Sequence, residues 1–157
     1  MKLADIVNEQ AIVTRLEATD RDAAVSELID ALIAAGAVDG ALREELIERV
    51  LERESRGSTG FGRGVAVPHV KHPEAPKIVA AVGLSQQGID FNSLDKQPVY
   101  SVFLLVSPAG DPEGHLRAME VIFKSLKHET FRRFLRQATT VDEVRTLLEE
   151  RDNQQLT

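Results

Sequence analysis

The chain has 157 residues, 25 acidic and 19 basic, which give a formal net charge of −6, and it contains no cysteine. This length suits one domain with a buried core, and the lack of cysteine excludes disulfides, thiolate metal sites and cysteine nucleophiles. The acidic balance, with one Tyr and no Trp, argues against nucleic-acid binding, which needs a basic surface or stacking aromatics.

The N-terminal half begins with a possible strand over residues 10–16 and continues with two predicted helices. Thr19 or Asp20 can cap the first helix, and Gly36 ends it. Its apolar residues recur at helical spacing and are Val25, Leu28, Ile29, Leu32 and Ile33. The second helix is predicted over residues 39–54, and the glycine-rich segment 57–64 (GSTGFGRG) then requires a loop.

The second half contains the strongest strand signals. Residues 77–84 and 98–106 are almost uninterrupted aliphatic runs and are predicted as buried strands. Shorter strands are expected over 65–67 and 89–91. Asp111 followed by Pro112 predicts a third helix, and further helices are expected over 129–137 and after the capping-box pattern 140–143. This order predicts one α/β domain with a mixed sheet covered by helices.

Neither a leader nor a membrane segment is expected. The first residues, MKLADIVNEQAIV, lack the basic and apolar regions of a secretory signal. The longest apolar runs, 78–84 and 102–106, are far shorter than the roughly 20 residues that a membrane helix needs. The sequence therefore predicts a cytoplasmic protein without direct membrane insertion.

His69 lies in a setting that favours chemistry. It follows the glycine-rich loop, a short predicted strand and Pro68, which restricts the backbone. Glycines let backbone N–H groups approach an anion closely. The side chains nearby that suit a phosphoryl group are Ser58, Thr59, Arg53, Arg56 and Arg63. The local pattern is equally compatible with an anion site and with a segment that simply turns, and it matches neither a P-loop nor a dinucleotide fingerprint.

The other histidines allow several interpretations. His115 lies in the first turn of the third predicted helix, where negative charge is favoured, or is an ordinary half-buried helix residue. His72 is interpreted as a solvated loop residue. Together with His69 these would supply three nitrogen ligands for zinc, but the loop setting offers no preorganised pair, so a metal site is the weakest interpretation. The cluster Arg132, Arg133 and Arg136 is interpreted as a solvated helix face.

The residues before His69 match a specific pattern. An Arg-Glu pair (Arg53-Glu54), a Gly-Ser-Thr loop (57–59), further glycines, an aliphatic-Ala-aliphatic strand (65–67) and Pro68-His69 follow in order. This closely resembles the signature of type 2 enzyme IIA domains of the phosphoenolpyruvate:sugar phosphotransferase system, in the fructose/mannitol class that includes the nitrogen-regulatory enzyme IIA. His115-Leu116-Arg117 resembles the family's second histidine, and the resemblance covers almost the whole chain.

The resemblance implies one α/β domain over residues 1–150, with a mixed, roughly five-stranded sheet between helices and a polar tail at 151–157. His69 would accept a phosphoryl group from the histidine-containing phosphocarrier protein. His115 would stabilise that group and Arg53 would pair with its charge. The phosphoryl-binding loop would comprise Ser58, Thr59, Gly60 and Gly62. No metal or cofactor is expected, because the transfer needs mainly positioning and charge stabilisation.

Two roles remain open at this point. His69 could pass the phosphoryl group to an enzyme IIB, or the protein could be a regulatory module whose phosphorylation changes its affinity for a partner. With no fused IIB or membrane domain in 157 residues, a stand-alone, regulatory protein is favoured. Two positions depart from the family pattern: Val70 replaces a small residue, where its bulk could alter donor docking, and Arg63 occupies a position that is often Asn.

Overall fold

Helices and strands form where the sequence supplies periodic apolar residues and capping groups. The computed structural model describes residues 1–154. Its elements in chain order are α1 (Leu3–Ile6), β1 (Val7–Val13), α2 (Arg21–Ala34), a 3-10 turn (Gly40–Leu42), α3 (Arg43–Ser55), β2 (Val65–Ala66), β3 (His69–His72), β4 (Val79–Ile89), β5 (Val99–Pro108), α4 (Pro112–Leu126), α5 (Glu129–Gln137) and α6 (Val141–Asp152).

The strands form one mixed five-stranded sheet. β1 lies beside β4, β4 lies beside β5, and both β2 and β3 pair with β5. Only the β4–β5 pair is antiparallel. β2 pairs with residues 101–102 of β5 and β3 with residues 105–108, so the two short strands occupy successive stretches of one edge. Pro68 lies at the break, because proline has no N–H to give to the ladder.

Helices cover both faces of this sheet, and the sheet separates the core into two halves. Leu28 of α2, Leu46 of α3 and Leu104 of β5 belong to one half. Phe103 and Phe131 belong to the other half, which α1, α4, α5 and α6 cover. Because successive strand residues point to opposite faces, β4 and β5 are buried on both sides, which explains their continuous apolar sequences. The predicted α/β fold with a mixed, roughly five-stranded sheet is confirmed.

The helix ends follow the predicted caps. Side-chain oxygens of Asp20, Asp111 and Thr140 accept N–H bonds from the first turns of α2, α4 and α6. Gly36, with φ of 74°, ends the first long helix: its N–H donates to the Ile33 carbonyl, and the next N–H donates to that of Leu32. This is a Schellman motif, in which glycine is favoured at the left-handed position.

Three sequence predictions need correction. The first strand covers Val7–Val13 instead of residues 10–16. The predicted strand 65–67 is shorter, and a separate strand, His69–His72, follows it. The predicted strand 89–91 is only the end of β4, at Ile89. In each case the pairing partner sets the boundary, and the partner is distant in the sequence.

The two ends of the chain meet through a contact that the sequence analysis missed. Asp152, the last residue of α6, accepts N–H bonds from Leu3 at 2.6 Å and Ala4 at 2.9 Å. The carboxylate thus caps α1, so the predicted polar tail at 151–157 begins inside α6, which ends at Asp152. Residues 155–157 of that tail lie outside the described residues. Across residues 1–154, no helix combines the length and apolar character needed to cross a membrane.

Candidate functional site

The site lies at the β2–β3 edge of the sheet. His69 is the first residue of β3, and the preceding Pro68 carbonyl accepts the N–H of Leu105, which fixes the start of the strand against β5. His115 lies in the first turn of α4. The centroids of the two imidazole rings are 5.4 Å apart. Both rings line an open pocket of about 1120 Å³, so the structure brings the two predicted histidines together.

His69 is held so that one ring nitrogen remains free. Its Nδ1 lies 2.9 Å from the Val67 carbonyl oxygen. A carbonyl only accepts, so Nδ1 carries the proton and Nε2 carries the lone pair. Within residues 1–154, Nε2 has no hydrogen-bond partner. Burial lowers the pKa of His69 below 6.5; the Val67 bond opposes that shift, and the nearby Arg53 charge adds to it. The imidazole is therefore neutral and nucleophilic at pH 7.

His115 is more deeply buried and also neutral. Its side chain contacts Ser107 of β5, with Nδ1 2.7 Å from the serine Oγ. Burial, followed by repulsion from His69 when that ring is protonated, lowers the pKa of His115 to about 4. The sequence did not identify Ser107 as a site residue, because a small polar residue at the end of an aliphatic strand carries no local signal. Only the placement of α4 beside β5 brings the two together.

Arg53 enters the pocket from the last turn of α3. Its Nη1 donates to the Gly57 carbonyl oxygen at 2.8 Å, and no carboxylate lies within 4.0 Å of it among the residues that the structure describes. Arg56 also borders the pocket but is paired with Glu52 at 2.6 Å. Arg63 lies elsewhere, in a second cleft. Of the three arginines that the sequence placed near the site, Arg53 is the one that both lines the His69 pocket and has no carboxylate partner among the described residues.

Most polar groups of the glycine-rich loop form hydrogen bonds with the loop itself or with adjacent residues of the protein. The buried carboxylate of Glu54, 3% exposed, accepts both the hydroxyl and the N–H of Thr59. Ser58 Oγ accepts the Gly60 N–H at 3.0 Å and donates to the Phe91 carbonyl oxygen. These bonds hold the loop closed against the end of α3. Glu54 is thus a supporting residue for which the sequence assigned no role of its own.

Gly60 and Gly62 have backbone roles. A Cβ at Gly60 would lie 2.6 Å from Ser93 Oγ, so only glycine fits this approach. Gly62 has φ of 116° and packs against Asp95, away from the residues that line the His69 pocket. Of the four predicted loop residues, Ser58 and Thr59 line the pocket, and Gly60 and Gly62 do not.

His72 is not the solvated loop residue that the sequence predicted. It is 2% exposed, lies in β3, and faces α3, where its Nε2 is 3.0 Å from Glu45 Oε1. Its Nδ1 accepts the Glu74 N–H. Residues three apart on a strand point to opposite faces, so His69 and His72 diverge. The proposed zinc ligand set does not assemble, and within residues 1–154 no cluster of three metal-ligating side chains occurs.

An apolar rim surrounds the histidines. Phe61 packs against Phe123 with ring centroids 5.0 Å apart, and Leu116 in the first turn of α4 is 61% exposed. All three line the pocket. An exposed leucine beside half-buried aromatics is typical of an interaction surface. Val70 packs in the core on the α2–α3 side.

Comparison with known sequences agrees with the family resemblance of the motif before His69. Residues 5–151 match the family described as "Phosphoenolpyruvate-dependent sugar phosphotransferase system, EIIA 2". The chain is 34% identical to a fructose-specific EIIA component of Haloferax volcanii, covering 83% of each protein. It is 33% identical to a nitrogen regulatory protein of Bradyrhizobium diazoefficiens, covering 94% of this chain and 95% of that protein. It is 30% identical to a fructose-specific EIIABC component of Bacillus subtilis over 97% of its length, but spans only 24% of that relative.

Solved structures share the same fold. The nitrogen regulatory protein IIA-Ntr of Neisseria meningitidis superposes with a TM-score of 0.83 at 25% identity, covering 93% of this chain and 98% of that one. The Escherichia coli mannitol enzyme IIA, solved in complex with its phosphorylated enzyme IIB, has a TM-score of 0.74 at 22% identity, covering 90% of this chain and 96% of that one. The second likeness bears on the fold alone.

Proposed function

The chain belongs to the EIIA 2 family of the phosphoenolpyruvate-dependent sugar phosphotransferase system, and from that premise we propose that it is a phosphocarrier whose acceptor is His69. The observation that carries the proposal is the bond from His69 Nδ1 to the Val67 carbonyl, 2.9 Å long, which leaves Nε2 as the nucleophile. A neutral imidazole facing an open pocket beside an unpaired arginine suits phosphoryl transfer.

The proposed transfer step needs no external base. The Nε2 lone pair forms a bond to the phosphorus of a partner's protonated phosphohistidine, and the partner's N–P bond breaks, returning its electron pair to that imidazole. His69 keeps its Nδ1 proton throughout. The Val67 carbonyl oxygen, which accepts that proton's hydrogen bond, stabilises the positive charge that the phosphorylated ring acquires.

Two side chains are proposed to stabilise the negative charge of the phosphoryl group. Arg53 can turn its remaining N–H groups toward the oxygens while Nη1 stays on Gly57. His115 is neutral at pH 7. If the Ser107 hydroxyl donates into its Nδ1, Nε2 carries the proton and donates to a phosphoryl oxygen. Positioned donors of this kind are the main source of catalysis in phosphoryl transfer.

The loop is proposed to act mainly as a support. The Thr59 donors are engaged by Glu54 and the Gly60 N–H by Ser58, so a direct bond to the phosphoryl group would first require the loop to open. The closed loop holds the Gly57 carbonyl where it orients Arg53. Ser58, Thr59, Gly60 and Gly62 are therefore assigned to positioning.

The proposed partners are other protein components. The donor is the histidine-containing phosphocarrier protein, and the acceptor is an enzyme IIB or a regulatory target. The mannitol relative was solved with phosphorylated enzyme IIB, and the apolar rim of Phe61, Leu116 and Phe123 gives a partner a surface beside His69. A cytoplasmic location, as the sequence predicts, remains part of this proposal.

A regulatory role is the second candidate. Full-length similarity to nitrogen regulatory proteins, 33% identity over 94% of the chain in one case and a TM-score of 0.83 in another, favours it. In this role phosphorylation of His69 would switch binding to a target protein. The two roles share the site and differ in where the phosphoryl group goes.

A chase experiment distinguishes them. The protein is labelled with radioactive phosphoenolpyruvate, enzyme I and the carrier protein, then purified and mixed with an enzyme IIB of the fructose or mannitol class. A transport component should lose its label to the enzyme IIB, because the acceptor offers a new nucleophile. A regulatory module should keep its label under the same conditions. Failure to label the protein at all would contradict both roles.

A further inference from the structure

A second cleft, separate from the His69 pocket, gathers positive charge. It has a volume of about 440 Å³ and lies between α5 and the edge where the glycine-rich loop meets the start of β5. Its lining includes four arginines, Arg63, Arg132, Arg133 and Arg136. Only two carboxylates, Asp95 and Glu129, share it. In a chain with a net charge of −6, this is a local concentration of the opposite sign.

None of the four guanidinium groups forms a salt bridge within the part of the chain that the structure describes. Within residues 1–154, no carboxylate oxygen lies within 4.0 Å of any of them, whereas arginines elsewhere, such as Arg43 and Arg145, pair with acidic neighbours. Asp95 is occupied by backbone: its oxygens accept the N–H groups of Arg63 and Gln97. The interpretation of Arg132, Arg133 and Arg136 as a simple solvated helix face is therefore incomplete.

Two of the guanidinium groups are held in place by uncharged partners. Arg136 Cζ lies 3.6 Å from the centroid of the Tyr100 ring, a stacked cation–π contact. That ring lies close to the Gly64 backbone, where an added Cβ would be 3.0 Å from Tyr100 Cδ2. Arg132 Nη1 donates to the Leu126 and Lys127 carbonyl oxygens at 2.7 and 2.9 Å. The remaining N–H groups of both side chains are free for another acceptor.

Arg63 is held in the cleft by an unusual backbone conformation. Its φ is 61°, a left-handed value that costs free energy for a residue with a long side chain. The Asp95 carboxylate fixes this turn through the Arg63 N–H at 3.2 Å. Burial, followed by the charge of Arg63, lowers the pKa of Arg132, and the charge of Glu129 only partly opposes that shift. A strained backbone conformation and neighbouring like charges are typical of a binding site.

We infer that this cleft binds a small phosphate-bearing anion. Guanidinium forks match phosphate oxygens in bidentate pairs, and a tetrahedral phosphate can accept from several forks, whereas one carboxylate satisfies one or two. The volume suits a small molecule. An acidic protein segment would need an extended groove, whereas this cleft has a volume of only about 440 Å³.

The test is a titration of the full chain with pyrophosphate, followed by backbone amide NMR in chloride buffer. The expected result is saturable shifts at residues 62–65 and in α5. The double variant Arg132→Gln/Arg136→Gln should bind about tenfold more weakly or worse, since each lost charge-assisted bond weakens binding substantially. The double variant Arg43→Gln/Arg145→Gln removes the same number of charges from residues that do not line the cleft and should bind like the unmodified protein. An unchanged amide spectrum elsewhere shows that each variant is folded.

Several outcomes would overturn the inference. These are shifts confined to the neighbourhood of His69, no saturable binding, or equal weakening by Arg43→Gln/Arg145→Gln, which would indicate only a general charge effect. Tighter binding of a polyglutamate peptide than of pyrophosphate would assign the cleft to an acidic protein instead. Because the readout is binding at the cleft and not labelling of His69, failure here leaves the phosphocarrier proposal untouched.

Discussion

Replacing His69 by Gln should abolish phosphoryl acceptance from phosphoenolpyruvate, enzyme I and the carrier protein. Glutamine keeps a polar side chain of similar length but has no ring nitrogen with a free lone pair, and no other nucleophile in the pocket matches the geometry of Nε2. In the unmodified protein the label should be stable in alkali and labile in acid, as expected for an N–P bond. Gel autoradiography after short incubations measures the effect.

Two matched histidine variants control this experiment. His128→Gln changes a histidine that does not line the pocket and should label at the normal rate. His115→Gln should label slowly, because the acceptor remains while a stabilising group is lost. Retention of the label by folded His69→Gln protein would refute the assignment of the acceptor.

Replacing Arg53 by Gln should slow phosphoryl transfer by about 10²- to 10³-fold, the usual loss when a positioned group that stabilises charge in the transition state is removed. Folding should change little, because the side chain is only partly buried and makes one hydrogen bond, to Gly57. That bond contributes about 1 kcal/mol to the free energy of unfolding. Rapid-quench labelling gives the rate, and urea unfolding gives the stability.

Arg56→Gln is the matched control for Arg53. The two arginines lie three positions apart at the end of α3 and both border the pocket, but Arg56 is paired with Glu52. It should change the rate by less than about threefold, since exposed paired charges contribute little. Arg53→Lys should restore part of the rate, because lysine supplies charge without the fork. Equal losses in both glutamine variants would mean that general positive potential, not Arg53 itself, assists the transfer.

Local signals explain why most elements could be predicted from the sequence. The bounds of α5 were predicted correctly, and the caps at Asp20, Asp111 and Thr140 form as expected, because each depends on residues a few positions apart. β3 was missed because its four residues include two histidines and a lysine. Its partner, residues 105–108, is more than thirty positions away. α1 is too short for periodicity, and its cap, Asp152, lies at the other end of the chain.

The site was predictable in part for the same reason. The motif before His69 is contiguous, and His115 opens a recognisable helix, so the family resemblance could pair the two histidines, while local pattern alone left the role of His115 open. The Ser107 contact with His115 and the faces that His69 and His72 present depend on how strands and helices pack. The loop donors were expected at the phosphoryl group, but Glu54 engages those of Thr59. A spacing pattern shows which donors exist and not which acceptor they meet.

The most direct test of the central claim is the nitrogen-15 NMR spectrum of the imidazoles after phosphorylation. One new phosphorus coupling is expected, at Nε2 of His69, with Nδ1 still protonated and bonded to the Val67 carbonyl. The His115 nitrogens should shift without coupling to phosphorus. A coupling at Nδ1 of His69, or at either nitrogen of His115, would contradict the account.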